Sequence, residues 1–489
     1  MQRSEKAVLI TLLFVIFLTR LYHINAPPWE IEESWRQADT ESMAWNFVNY
    51  DFDLLRPNLN YDGPFPNIPA LEFPITTGLI ALLYGLFGRQ YFLARLVPVV
   101  FFLLSGLYLY FLARWHLKVR AALFSLACYG FLPIFFYYSR AIMPEAAALM
   151  FMNGGLYYFN LYLRRAKDTW PIFLSRKNRA TPLVLSGLFL ALGIMTKPPV
   201  LFIGLLMLYL CFKEFGISWL ADKKLWLYAL SVLALPVVYY VYVTGLAEYK
   251  FTLGIGRDLV LKRALTAFYS PEAIEFYLTN VPKVMGLSGL ILLFPALLAA
   301  GKKHRFILIW FLAMLLEVIL IVSPIRAKYY LIFWAVPCAL LLGILFDRIL
   351  ALKWDKMGKV AATVLFLLLL LESYDLVKPM YTVNEVMATQ VKVVQQVTAA
   401  DDLLVVGSFD PCLLSLSDRR GWRYNLGLYS DIPKDPYLEL DYYIEKGAKY
   451  FVPIRGTIYG DEDGKLMAYI ESRYPKIEPV AGYPVYLLQ

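Results

Sequence analysis

Residues 73–88 read FPITTGLIALLYGLFG, and the reading of this stretch decides the fold. It is apolar, yet short against the roughly 20 residues a spanning helix needs, and its second residue is a proline. Glu72 stands directly before it. Eleven other apolar segments surround it, near 7–24, 92–113, 120–138, 144–163, 182–196, 199–212, 225–243, 284–300, 306–322, 329–347 and 359–373. If 73–88 lies in the interface or re-enters, the loops rich in Lys and Arg all fall on one side. They carry Arg114, Lys118 and Arg120; Arg164, Arg165, Lys167, Arg176, Lys177 and Arg179; Lys213, Lys223 and Lys224; Lys302, Lys303 and Arg305; and Arg348, Lys353, Lys356 and Lys359. Arg3 and Lys6 join them. The intervening short loops hold only Arg140, Lys197, Arg326 and Lys328. That asymmetry marks the rich side as cytoplasmic. Were 73–88 a span, every later loop would flip and the bias would reverse. The expected architecture is therefore a polytopic α-helical membrane protein of about eleven spans, with the N-terminus cytoplasmic and the C-terminus outside.

Composition agrees. Of 489 residues, 59% are hydrophobic and only 17% charged, against roughly 25% charged in a soluble domain. A soluble globular protein and a disordered one are both excluded. Aromatics make up 16%, and Tyr and Trp suit a membrane–water interface. The net charge of +9 is accounted for by the cytoplasmic loops and is no nucleic-acid signal. The first segment resembles a signal peptide in its short apolar core. It extends to about 18 residues, enough for roughly 27 Å, and no clean cleavage site follows, so an uncleaved first helix is expected.

Cys128, Cys211, Cys338 and Cys412 form no CxxC, and His23, His116 and His304 stand alone. A His- or Cys-based metal site is not expected. A divalent metal would have to sit on carboxylates, nothing in the sequence calls for one, and no cofactor is required. From about residue 377 strand-like runs (LLVVGS, KYFVPI, and a last pair ending in VYLL) alternate with helix-like ones (YLELDYYIEKGA, LMAYIESRY). This predicts a small extracytoplasmic α/β domain at 377–489. Residues 1–376 form the membrane domain, with outer loops at 25–91 and 244–282.

Polar residues gather at the outer ends of the spans. In the first loop, WEIEESWRQADTES, Ser34 and Gln37 have capping-box spacing, so a helix is expected to start at Ser34. Glu32 and Glu33 lie at its positive end, and Arg36 and Asp39 share a face. Beside Arg36, Asp39 is expected to stay ionised at neutral pH. SRAIMPEAA at 139–147 puts Arg140 and Glu145 in a short turn. MTKPP puts Lys197 in a proline-fixed turn, and SPIRAKYY supplies Arg326, Lys328, Tyr329 and Tyr330. Arg95 lies near the outer end of its own span, and Glu317 lies inside one. Each has a structural reading: local ion pairs, a snorkelling lysine, an aromatic belt, a helix–helix hydrogen bond. Together they describe a cationic pocket facing carboxylates, suited to an anionic lipid headgroup beside a general base. In DRRGWRYN at 418–425, Trp422 reads as a core residue, and Trp422 with Arg423 as an alternative acceptor contact.

The first-loop sequence EIEESWRQADTESMAWNF, the EFPI segment, ARLVP, SRAIMPE and TKPP resemble the GT-C glycosyltransferases. The similarity is to the protein mannosyltransferase and lipid A aminoarabinose transferase superfamily, over roughly residues 5–345. The resemblance implies a polyprenyl-phosphate sugar donor used on the outer face, with a glycan, lipid or protein as acceptor. It makes a first-loop carboxylate the base or an acceptor ligand, and Asp39 or Glu33 is the expected base, with Glu145 and Asp62 as further candidates. It gives the donor phosphate to basic residues near the span ends: Arg36, Arg95, Arg140, Lys197, Arg326 and Lys328. Glu145, Glu317 and Tyr329 would complete the pocket. Where many members of the superfamily carry a paired Asp-Glu, this chain has Glu32-Glu33 and a separate Asp39. Where some carry Lys-Pro-Pro or His-Pro-Pro, it has Glu72-Phe73-Pro74. The competing class is a lipid-linked substrate flippase or secondary transporter, which favours polar residues at the bilayer midplane. Here the middles of the spans are almost devoid of charge.

Overall fold

The computed structural model describes residues 1–164, 180–247, 256, 260–352, 355–427, 429 and 431–489. The basic stretch 165–179 and much of 248–259, within the expected outer loop, lie outside the described residues. The chain divides into two compact units: residues 1–24, 95–242 and 254–379 in one, and residues 25–94, 243–253 and 380–489 in the other. The first loop, read in sequence as part of the membrane domain, thus clusters with the C-terminal segment.

The first unit is helical, and every apolar segment expected there lies on a helix. Among the described residues six helices are long and apolar enough to cross a membrane: Tyr91–His116, Pro198–Ala221, Lys223–Leu246, Lys302–Ile325, Lys328–Leu350 and Lys356–Tyr381. Pro271–Met285 and Leu287–Ala300, bent by 90° at Gly286, make a seventh if taken as one span. The remaining expected spans sit on shorter or less apolar helices, among them Arg3–Arg20, Val119–Phe131, Glu145–Leu163 and Thr181–Thr196. The segment at 73–88 forms the helix Ile75–Phe87, of 13 residues, which rises only about 20 Å and is too short to cross alone.

Exposure distinguishes the spans. The Leu331–Leu350 helix buries every residue from Leu331 to Phe346 and packs against the Val119–Phe131, Leu287–Ala300, Arg305–Glu317 and Asp355–Val377 helices. It is a central element. The Lys223–Leu246 helix leaves Leu230, Val238 and Val241 largely exposed. Apolar side chains all round such a helix are satisfied by hydrocarbon, not water.

The second unit is built on a five-stranded sheet of order β2-β1-β3-β5-β4. Its strands are β1 (Leu403–Val406), β2 (Arg420–Arg423), β3 (Ala448–Val452), β4 (Lys476–Ile477) and β5 (Val485–Leu487). β1 pairs in parallel with β2 and β3, and β5 pairs antiparallel with β3 and β4. The inner strand β1 reads LLVV, as a strand between two parallel neighbours should. The expected strands and both expected helices (Pro436–Glu445 and Lys465–Arg473) are present. β2, within DRRGWRYN, was not foreseen, because its four residues are half charged. Trp422 is buried and stacks on Tyr443 at 5.2 Å.

The first loop completes this sheet. Tyr61 and Gly63 form bridges to Gly421 of β2, and Glu30 bridges to Val383. Ala38, Met43, Leu59, Tyr61 and Leu71 share one apolar cluster with Val391, Val394, Leu404 and Leu413. Segments more than 300 positions apart therefore fold as one core.

Candidate active site

The Ser34–Asn49 helix carries the candidate base. Glu33 precedes it in the left-handed conformation, φ 53°, without a side-chain cap bond. The expected capping box does not form. Gln37 instead donates from Nε2 to the Glu32 carbonyl at 3.2 Å. Ten of the helix's 16 residues are buried, so it is a core element of its unit.

Asp39 is 2% exposed. Its Oδ2 accepts from the Tyr61 hydroxyl at 3.2 Å, and the same hydroxyl accepts from Trp35 Nε1 at 3.2 Å. Asp39 Oδ1 has no hydrogen-bond partner among the described residues. Burial pushes its carboxyl up to about 7, and nearby Asp410 adds to the push. Arg36, the Tyr61 hydrogen bond and Arg423 pull the other way and lose. The expectation that Arg36 keeps Asp39 fully ionised is corrected: desolvation outweighs one neighbouring guanidinium. Arg36 itself forms an ion pair with Glu72. Glu33, the other candidate base, is half-buried.

A second ionic group in this unit centres on Arg89. It donates to Glu41 Oε1 and Oε2 at 2.8 and 2.7 Å and to Asp418 at 2.6 Å, and it stacks 5.0 Å from the Trp45 ring. The guanidinium ties the end of the Ile75–Phe87 helix to the C-terminal segment.

In the membrane unit Lys197 ends the Thr181–Thr196 helix, and Pro198 and Pro199 turn the chain into a short 3-10 segment. Its Nζ stands 2.8 Å from Glu145 Oε1 and 5.1 Å from each of the Tyr329 and Tyr330 rings. Glu145 opens the Glu145–Leu163 helix, where the helix dipole favours a negative charge. Arg140 is fully buried and donates to the His23 carbonyl at 2.6 Å. Arg20, which the sequence reading did not single out, is also fully buried. It donates to Ser139 Oγ at 2.9 Å and lies 4.8 Å from the Phe136 ring, so it braces the turn that presents Arg140.

The other expected pocket residues are placed as follows. Arg95 is fully buried in the Tyr91–His116 helix. Arg326 is exposed and left-handed, φ 57°, and Lys328 is half-buried. Glu317 is fully buried ahead of a π-helical turn at Val318–Val322, and neither carboxylate oxygen has a hydrogen-bond partner among the described residues. Among the pocket residues of this unit, the structure joins Lys197, Glu145 and Tyr329. Among the described residues no three His, Cys, Asp or Glu side chains gather as a metal site.

Residues 71–242 match the family model described as dolichyl-phosphate-mannose-protein mannosyltransferase. The structure superposes on ArnT from Cupriavidus metallidurans bound to undecaprenyl phosphate with a TM-score of 0.66, at 14% identity, over 100% of this chain and 98% of that one. The fold is that of the GT-C glycosyltransferases. The archaeal oligosaccharyltransferase AglB from Archaeoglobus fulgidus, in complex with an inhibitory peptide and a dolichol-phosphate, matches with a TM-score of 0.60 at 14% identity. That match covers 99% of this chain and 74% of AglB. Comparison with curated protein sequences finds no match. At this identity the GT-C likeness is one of architecture. Sequence reasoning missed Tyr61 and Arg20, and it weighed Arg423 only as an acceptor contact and not as the partner of Asp62, because a buried polar residue is recognised by its partners, and those partners lie far away in sequence.

Proposed function

We propose that this chain is an integral-membrane glycosyltransferase that moves a sugar from a polyprenyl-phosphate donor to an acceptor at the extracytoplasmic face. One observation carries the reading: a buried carboxylate, Asp39, is held by Tyr61 on one oxygen and has its other oxygen unengaged by the described residues. The match of residues 71–242 to a mannosyltransferase model supports it. So does the likeness to enzymes solved with undecaprenyl phosphate and with dolichol-phosphate.

In this reading an acceptor hydroxyl or amine attacks the anomeric carbon. The bond from that carbon to the donor phosphate oxygen breaks, and its electron pair stays on the polyprenyl phosphate. Asp39 takes the acceptor's proton. A base with its pKa near the working pH is efficient, because enough of it is ionised and it still binds the proton well. Glu33 is the alternative base. Arg95, Arg140, Lys197, Arg326 and Lys328 are the candidates to stabilise the leaving phosphate, since guanidinium forks and ammonium groups match its charge. Of these, Lys197 already shares its charge with Glu145. The Lys and Arg asymmetry supports a cytoplasmic N-terminus and a site on the outer face.

The test is a transfer assay on the full chain in nanodiscs, with a panel of radiolabelled polyprenyl-phosphate sugars and membrane-extract acceptors. Label is expected to leave one donor for an acceptor in the wild type, and Asp39→Asn is expected to lose it. A chain that consumes none of the donors, in properly folded form, removes the reading.

A further inference from the structure

Arg423, the last residue of β2, is almost wholly enclosed, and its guanidinium is engaged on both edges and over its faces. Nε and Nη2 donate to the two Asp62 oxygens at 2.9 and 2.5 Å. Nη1 donates to the Phe409 carbonyl at 3.0 Å. The rings of Trp35, Tyr61 and Phe409 lie 5.3, 5.0 and 5.6 Å from the guanidinium carbon. The Tyr429 hydroxyl donates to the same Asp62. An arginine clamped bidentately inside an aromatic cage is a fixed point, since the planar fork leaves it one geometry.

What it fixes is the loop beside the candidate base. Asp62 sits in the left-handed conformation, φ 66°, which a non-glycine residue keeps only when its surroundings hold it. Tyr61, its neighbour, donates to Asp39 Oδ2. We propose that Arg423 is a positioning residue for Asp39: by clamping Asp62 it sets the Tyr61 hydroxyl, and through that hydroxyl it orients the carboxylate that receives the acceptor's proton. This inference rests on the reading of Asp39 as the base.

The groups facing Asp39 come from three elements. Arg36 belongs to its own helix. Tyr61 comes from the first loop, with Asp62 behind it against Arg423. Asp410, Cys412 and Arg423 come from the C-terminal segment. Arg36, Tyr61 and Arg423 favour the ionised carboxylate, and Asp410 opposes it. Removing Arg423 deletes one cation near Asp39 and releases Tyr61. Both changes push Asp39 toward its protonated form.

The test is the pH profile of transfer in the full chain for Arg423→Gln, Arg423→Lys, Tyr61→Phe and Asp39→Asn. Arg423→Gln is expected to move the acid limb upward by about one pH unit, the scale on which an opposite charge acts. Activity lost at neutral pH then returns at alkaline pH. Arg423→Lys keeps the charge but loses the bidentate fork, and is expected to move the limb in the same direction by less than Arg423→Gln does. If Arg423→Gln does not fold, Tyr61→Phe carries the same test, because it removes only the hydroxyl and is expected to move the limb in the same direction. An equal loss at every pH in Arg423→Gln, or in Tyr61→Phe where the former does not fold, with Asp39→Asn inactive, overturns the positioning role and leaves the base assignment standing. Wild-type turnover in Asp39→Asn overturns both.

Discussion

Lys197 Nζ and Glu145 Oε1 stand 2.8 Å apart, with the two side chains 2% and 0% exposed. Neither charge is screened by water, so each depends on the other. Removing one partner of such a pair leaves an uncompensated buried charge, which costs about 3–5 kcal/mol. Lys197→Ala is therefore expected to lower the melting temperature in detergent sharply as well as to abolish transfer. The pair variant Lys197→Met with Glu145→Met, apolar at both positions, is expected to recover most of the stability and none of the activity. If the pair variant transfers sugar at the wild-type rate, Lys197 has no part in phosphate binding.

Asp39 gives a pH prediction of definite sign. Its folded pKa, about 7, lies above the ordinary carboxylate value because burial favours the neutral acid. Between the unfolded and folded pKa values the native state holds the proton more tightly than the unfolded chain does. Stability is thus lost as pH rises from the unfolded pKa toward about 7. Activity runs the other way, rising with ionisation through about 7. Asp39→Asn is expected to cut turnover by at least about a hundred-fold and to melt no lower than the wild type at pH 8. A variant that melts lower at pH 8 and transfers normally contradicts both halves.

The loop charges predict an orientation that labelling can test. A cysteine placed at Lys303 is expected to resist a membrane-impermeant thiol reagent in intact cells, while one at Lys262 or Asp463 reacts. The same measurement at Lys177, in a loop outside the described residues, decides the role of the Ile75–Phe87 helix. Reaction there means that this helix crosses the bilayer and the loop assignments reverse.

The sequence made the membrane unit legible because each span declares itself through local composition. Apolar runs and Lys-rich loops need no partner to be recognised. The TKPP and SRAIMPE turns could be singled out in the same way, since a charge between two apolar runs is conspicuous. The pairing of Lys197 with Glu145 was not legible, since 52 positions separate them. The second unit was harder still. The Ser34–Asn49 helix looks like a surface helix, with acids, Arg36 and two Trp, and it becomes a core helix because the Ile75–Phe87 helix and the C-terminal segment both pack on it. The expected ionisation of Asp39 failed for the same reason: the neighbour at i−3 is visible in sequence, and the desolvation is not. Asp62 and Arg423, 361 positions apart, meet only in three dimensions.

Gly421 tests whether the first loop and the C-terminal segment fold as one body. Its φ is 149°, and a Cβ there would lie 1.8 Å from the Leu404 carbonyl oxygen. The obstacle is backbone of the inner strand β1 and cannot rotate aside. Gly421 also carries the junction itself: its N–H donates to the Asn60 carbonyl at 3.2 Å, and its carbonyl accepts from the Gly63 N–H at 3.0 Å. Gly421→Ala is expected to cost at least about 3 kcal/mol, the range of overpacking combined with backbone strain. It is expected to expose the first loop to protease along with the C-terminal segment. Gly464→Ala is the control. It too is left-handed, φ 68°, but a Cβ there meets nothing within 4 Å. It should cost only the conformational term, about 1–2 kcal/mol. Equal protease resistance of the Gly421→Ala and Gly464→Ala proteins would mean that the first loop is not anchored through β2.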